Sequence, residues 1–289
     1  MRDSNPYPEA LALVHDALSR IREEQGDRLR TPLEVLERLQ SPATPAAVEP
    51  PPRSDGPAPV LAETPPQFAT RPPSDSNEER LDQLRTTVSA CALCPNLAET
   101  RTQTVFGVGN PDAALMFVGE APGMDEDVQG EPFVGKAGQL LTRIIDAMGL
   151  RREDVYIANV LKCRPDMPPG TSGNRRPTAV EMTTCLPYLR AQIESIRPQA
   201  IVALGAVAME GLFGTTLPMK ELRGLWRDFQ GIPTMPTYHP AYLLRNQANS
   251  EKRKVWEDML LVMERLGMPV SAKQRKFFLP KPARVDRPG

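Results

Sequence analysis

Glu120, Asp125, Glu126, Asp127 and Glu131 crowd into one short stretch of this 289-residue chain, around a single aromatic residue, Phe133. Further on, Asn159 is the one polar residue in the apolar run Val155 to Leu161, and His239 is followed directly by Pro240. An amide in such a run must find partners, and it can donate and accept in one plane. If the turn Gly119 to Gly123, Asn159 and His239 meet at one edge of a sheet, they form a pocket holding a carboxylate, an amide and an imidazole. Four cysteines, Cys91, Cys94, Cys163 and Cys185, make a second constellation. In a reducing compartment a C-x-x-C pair with two further thiols points to a metal or to an iron–sulfur cluster rather than to disulfides.

The elements that must position these groups follow from pattern. Ala113 to Val118 is a buried strand ending at Gly119, and Pro122 and Gly123 close the turn after it. The acidic loop then leads into a helix, Lys136 to Met148, capped by Gly149. Ligands bind outside the carboxyl ends of strands in open α/β sheets, so this loop is the expected floor of the site. Val155 to Leu161 and Ala200 to Leu204 are further strands. Trp226 to Phe229 and Ile232 to Tyr238 make a hairpin whose second arm is the fourth strand of the sheet. A helix from Glu78 to Ala90 delivers Cys91 and Cys94. Thr178 and Glu181 form a capping box, and Pro187 predicts a break there, with one short helix ending near Cys185 and a new one starting at Pro187. A last helix runs from about Glu251 to Leu266. The expected fold is α/β: a central, mostly parallel four-stranded sheet with helices on both faces, spanning residues 78–268.

Around this domain, residues 1–40 carry helical periodicity and form a helical appendage open to a protein partner. Eleven of the 32 prolines lie between Pro42 and Pro73, which makes 41–77 an extended disordered linker. The tail 269–289 is basic and expected to be disordered, suited to a nonspecific grip on phosphates. A net charge of −1 gives no overall pull toward nucleic acid or membrane. No apolar run is long enough to cross a membrane, and the amino terminus lacks the blocks of a secretory signal, so a cytoplasmic location is expected. The first strand is not followed by a G-x-G-x-x-G fingerprint, which argues against a nucleotide-binding redox protein.

Taken jointly, GEAPG-x-x-E-D, PFVGKAG, NVLKCRP and HPAYLLR, in that order and with the four cysteines, resemble the iron–sulfur uracil-DNA glycosylases, family 4 of the uracil-DNA glycosylase superfamily. The resemblance covers about residues 79 to 267. It implies a uracil-DNA glycosylase-like fold and a base-excision repair hydrolase that cleaves the glycosidic bond of uracil in DNA. It also implies a [4Fe-4S] cluster on Cys91, Cys94, Cys163 and Cys185, although four thiolates would also suit zinc. Phe133 would stack on uracil, Asn159 would read its Watson–Crick edge, and His239 would donate to the oxygen that gains charge.

Ala121 stands where the best-studied branch carries its water-activating aspartate, and the resemblance places it among the uracil-binding residues. Glu120, Glu126 and Asn174 remain as groups to place the water, with Glu120 favoured and Glu126 and Asn174 also open to a DNA contact. Leu243, Leu244 and Arg245 are candidates to wedge into the duplex and grip a phosphate. Another branch captures uracil-DNA through a histidine in an inserted loop. The insertion here, PDMPPGTSG, contains none, so hydrolysis is expected. The competing reading is a noncatalytic iron–sulfur or zinc DNA-binding accessory protein of repair or replication.

Overall fold

A computed structural model of the protein describes residues 76–280, apart from 169 and 172. The expected N-terminal helices, nearly all of the proline-rich linker and the last nine residues lie outside the described residues. In chain order the structure runs α1 (Asn77–Ser89), α2 (Pro95–Thr100), β1 (Val108–Gly109), β2 (Leu115–Gly119), α3 (Met124–Gln129), α4 (Lys136–Met148) and β3 (Tyr156–Asn159). It continues with α5 (Ala179–Ile196), β4 (Ala200–Leu204), α6 (Ala206–Phe213), α7 (Met219–Leu222), β5 (Arg227–Phe229), β6 (Ile232–Thr237), α8 (Pro240–Arg245), α9 (Asn249–Arg265) and α10 (Ala272–Arg275).

Strands β3, β2, β4 and β6 are parallel neighbours, the four expected from their apolar runs. The sheet has six strands, in the order β1-β3-β2-β4-β6-β5, because two short antiparallel edges flank that core. One edge, β5, is the first arm of the expected hairpin. The other, β1, is two residues long and has no apolar pattern to betray it. Burial on both faces explains the continuous apolar runs. Along β2, Met116 and Val118 join Leu189, Ile193 and Met209 on one side, while Leu115 and Phe117 join Leu141, Ile145 and Trp256 on the other.

Two expectations are corrected. Pro187 does not break its helix: α5 continues from Ala179 through Ile196. A proline removes one backbone hydrogen bond, but buried Met182, Cys185, Leu189, Ile193 and Ile196 hold the helix against the core on both sides of it. Cys185 is therefore presented from the body of a helix rather than from a break. The tail is also structured over its first part. Ser271 and Gln274 form a capping box that starts α10, Trp256 Nε1 donates to the Gln274 carbonyl at 2.7 Å, and Gln274 Nε2 donates to the Ala147 carbonyl at 2.9 Å. Phe277 then lies 5.2 Å from the Trp256 ring. Truncation after Gly267 should therefore cost about 2–4 kcal/mol, since it leaves the Trp256 N–H and the Ala147 carbonyl without partners. Urea unfolding of the truncated chain beside the full chain measures it.

Candidate active site and cysteine centre

The register of the sheet puts Gly119 directly beside Asn159 at the carboxyl ends of β2 and β3. A Cβ on Gly119 would lie 2.4 Å from Asn159 Oδ1 and 2.4 Å from Phe133 Cζ, so only glycine lets the amide and the ring edge approach together. Phe133 is buried and has a φ of 56°, a left-handed conformation that a bulky residue adopts only when its surroundings impose it. Those surroundings are identifiable. Glu126 accepts from the N–H groups of Val134 and Gly135, each at 3.0 Å, and from Gly123 N–H at 3.1 Å. Arg152 donates to the Pro132 carbonyl, and Gly138 lets the first turn of α4 press against the Phe133 backbone, where a Cβ would come within 1.8 Å of the Phe133 oxygen.

His239 enters from the opposite side, at the N-cap of α8, with its ring centroid 5.6 Å from that of Phe133. Gly205, at φ 92°, gives it room; a Cβ there would stand 3.0 Å from the histidine Cβ. Burial, with a further push from the Arg245 charge, lowers the His239 pKa to about 4. The ring is thus neutral near pH 7. Its Nδ1 accepts from Ala241 N–H at 3.1 Å, which leaves the proton on Nε2 as a free donor. Asn159 is buried, and its Oδ1 has no hydrogen-bond partner among the described residues. An orphaned acceptor in such a place is costly unless a ligand supplies the donor.

Glu120 is half-buried, and burial raises its pKa against the opposing charge of Arg176. Both Glu126 oxygens are taken by backbone donors, so it braces the loop. Ala121 packs against the core cluster. Glu126, Asn174 and Leu244 line one cavity of ≈ 330 Å³ with Gly123, Gly135 and Lys136. Leu244 is half-buried and Arg245 exposed, but Leu243 is buried and lines a groove with Leu140 and Ile144 of α4. A buried side chain cannot wedge into DNA, so that expectation for Leu243 is corrected.

The four cysteines line a separate small pocket with Leu97, Arg101, Leu161 and Tyr188. Arg101 Nη1 donates to Cys163 Sγ at 3.0 Å and its Nη2 to the Cys91 carbonyl at 2.7 Å, while Lys162 N–H donates to Cys185 Sγ at 3.2 Å. Tyr188 is hydrogen-bonded to Cys91. Burial raises the pKa of Cys94 and Cys163 and pushes Cys185 up to about 11, so these are protonated thiols until a metal displaces the protons. Donors already aimed at sulfur suit a metal–thiolate centre. Among the described residues, no three His, Cys, Asp or Glu gather closely enough to hold one metal ion. Arg175 bridges Asp166 and Glu181 across the base of the insertion, and Asn96 joins both carboxylates.

Residues outside the expected site also take part, among them Gly205, Arg101 and Lys162. Lys162 left a signal, since a lysine inside NVLKCRP next to an apolar strand is as anomalous as Asn159. Gly205 and Arg101 left none.

A largely parallel α/β sheet thus gathers a buried aromatic ring, an amide with an unpartnered oxygen and a neutral imidazole at its carboxyl edge. Comparison with known proteins identifies the family. The family described as the Uracil DNA glycosylase superfamily matches residues 106–260. Over 186 residues the chain is 46% identical to a Type-4 uracil-DNA glycosylase of Thermotoga maritima, covering 64% of this chain and 93% of that one. It is 43% identical to the Type-4 uracil-DNA glycosylase of Archaeoglobus fulgidus, covering 62% and 93%, and 30% identical to a Type-5 enzyme of Pyrobaculum aerophilum, covering 53% and 79%. The chain belongs to the uracil-DNA glycosylase superfamily.

Gly119→Ala should lower kcat/KM about a hundredfold or more by forcing Asn159 and Phe133 apart, the scale expected for a displacement of about 1 Å at a reacting centre. Steady-state kinetics beside circular dichroism would show whether the loss occurs in folded protein.

Proposed function

We propose that this protein excises uracil from DNA, hydrolysing the bond between the base and deoxyribose and leaving an abasic site for base-excision repair. The observation that carries this reading is the pairing of an orphaned, buried Asn159 acceptor with a neutral His239 whose free proton is on Nε2. Because the reacting carbon is shielded in a duplex, the nucleotide must flip into the pocket, at a cost of about a few kcal/mol in stacking and pairing. Phe133 then stacks on the base. Asn159 Oδ1 accepts from uracil N3–H and its amide donates to the neighbouring carbonyl oxygen. Cytosine presents an acceptor and a donor in those places, so the same amide rejects it.

As the glycosidic bond lengthens, negative charge collects on uracil, and the His239 Nε2–H group donates to the oxygen that carries it. A neutral donor that needs no reorganisation stabilises the leaving anion most at the transition state. Glu120, held at the strand end with a raised pKa, orients the water that attacks the cation-like sugar carbon and takes up its proton. Asn174 stands near enough to the Gly123 turn to help place that water. Ala121 leaves the usual carboxylate position empty, and little base catalysis is required when the sugar is already cation-like. Leu244 fills the gap left by the flipped nucleotide, Arg245 grips a flanking phosphate, and the basic tail adds nonspecific attraction.

Cys91, Cys94, Cys163 and Cys185 hold a [4Fe-4S] cluster in this reading. Four thiols around one pocket, two of them buried and two half-buried, supply the thiolate set that such a cluster takes, and the resemblance to the iron–sulfur family favours a cluster over zinc. When bound, the cluster is a structural brace rather than a redox catalyst. The protein works on cytoplasmic, nucleoid-associated DNA, and the N-terminal segment is where a protein partner would engage it.

Anaerobically purified protein, assayed on a labelled oligonucleotide with one deoxyuridine and then treated with alkali, should break the strand only at that nucleotide and should carry iron. His239→Ala should cut the rate by about 10²–10³-fold. Because His239 stays neutral down to about pH 4, the acid-side loss of rate that comes from Glu120 should disappear in Glu120→Gln but persist in His239→Ala. Iron-loaded protein that binds the DNA without releasing uracil would contradict the reading and favour a DNA-binding accessory protein.

A further inference from the structure

Lys162 is completely buried, and among the described residues it forms no ion pair. A buried ammonium without a carboxylate is costly unless all its donors are used, and an apolar side chain of the same length would be cheaper to place. Its Nζ donates to the backbone carbonyl of Asn159 at 2.9 Å and to Gln192 Oε1 at 2.5 Å, and it lies 6.0 Å from the Phe106 ring centroid. Gln192 is fixed in turn, its Nε2 donating to the Phe106 carbonyl at 2.9 Å and to the Tyr156 hydroxyl at 3.2 Å. At its other end, the Lys162 backbone N–H donates to Cys185 Sγ at 3.2 Å.

Asn159 is the last residue of β3. Beyond it, Val160 and Leu161 still donate to the carbonyls of Gly119 and Glu120 at 3.0 and 3.1 Å, so the chain follows the catalytic turn before reaching Cys163. The Asn159 carbonyl is held from the far end of this stretch by Lys162 Nζ, and the Lys162 backbone N–H donates to Sγ of Cys185, the cysteine that helix α5 brings to the thiol pocket. We propose that Lys162 is a positioning residue that fixes Asn159 for base reading and ties that residue to the cysteine centre. The proposal rests on the uracil-excision reading and adds a physical link between its two otherwise separate sites.

Lys162→Met keeps the length of the stem and removes the donors. The test compares it with wild type and with Ile193→Ala, a core truncation one residue from Gln192 that leaves every partner of Lys162 in place. Measured below the melting temperatures of all three are the iron content, binding of free uracil by titration, and kcat and KM on deoxyuridine and deoxycytidine oligonucleotides. Lys162→Met should retain iron, bind uracil about tenfold more weakly, lose about tenfold or more in kcat on deoxyuridine and discriminate less against cytosine, while Ile193→Ala stays within about twofold of wild type.

Gln192→Met, which removes one acceptor and spares the bond to Asn159, should weaken uracil binding about threefold and is the milder second variant if Lys162→Met does not fold. Uracil binding and discrimination unchanged in the folded lysine variant, or in Gln192→Met where that alone folds, would overturn the proposal while leaving the glycosylase intact. A wild type that neither binds nor releases uracil would overturn both.

Discussion

The parallel pairing of Gly119 with Asn159 is the constraint on which the site depends. It sets the end of β2 against the end of β3 at a point where one missing Cβ decides whether the Asn159 amide and the Phe133 ring can share the same space. The rest of the surroundings serve that approach. Glu126 gathers three backbone N–H groups of the acidic loop, Gly138 admits the strained Phe133 backbone, and Gly205 admits His239 from the next strand but one. These contacts are made within the protein itself, so Phe133, Asn159 and His239 are already gathered in the ligand-free structure. Such preorganisation is what lets a few hydrogen bonds act at the transition state without first reorienting.

The electrostatics follow from the same packing. Burial holds His239 neutral and raises the Glu120 pKa, while the Ala241 N–H fixes which imidazole nitrogen keeps the proton. A neutral donor gains most when negative charge appears on its partner. The thiol pocket is braced by Arg101, and the Lys162 N–H, three residues beyond Asn159, donates to Cys185 Sγ.

Much of this arrangement was legible in the chain. The four parallel strands announced themselves as apolar runs, and Asn159 and Phe133 stood out as anomalies within or beside them. The C-x-x-C pair and the order of the short motifs identified the thiol set and the family. What stayed hidden depended on tertiary context. Strand β1 is too short for a pattern, and Pro187 is tolerated because core contacts on both sides of it outweigh one lost hydrogen bond. The outward role expected of Leu243 failed because spacing within HPAYLLR does not say which leucine faces α4. Gly205 acts through the absence of a side chain beside a residue 34 positions away, and no local signal marks such a contact.

The central claim is that His239 waits as a neutral imidazole with its proton on Nε2. The chain has only two histidines, so nitrogen-15 spectroscopy of histidine-labelled protein, with His239→Ala to assign the signals, addresses it directly. At pH 6 the His239 ring should show one protonated and one bare nitrogen, with the bare one at Nδ1, and should keep that form when uracil is added. A ring protonated at both nitrogens at pH 6, or carrying its single proton on Nδ1, would contradict the account.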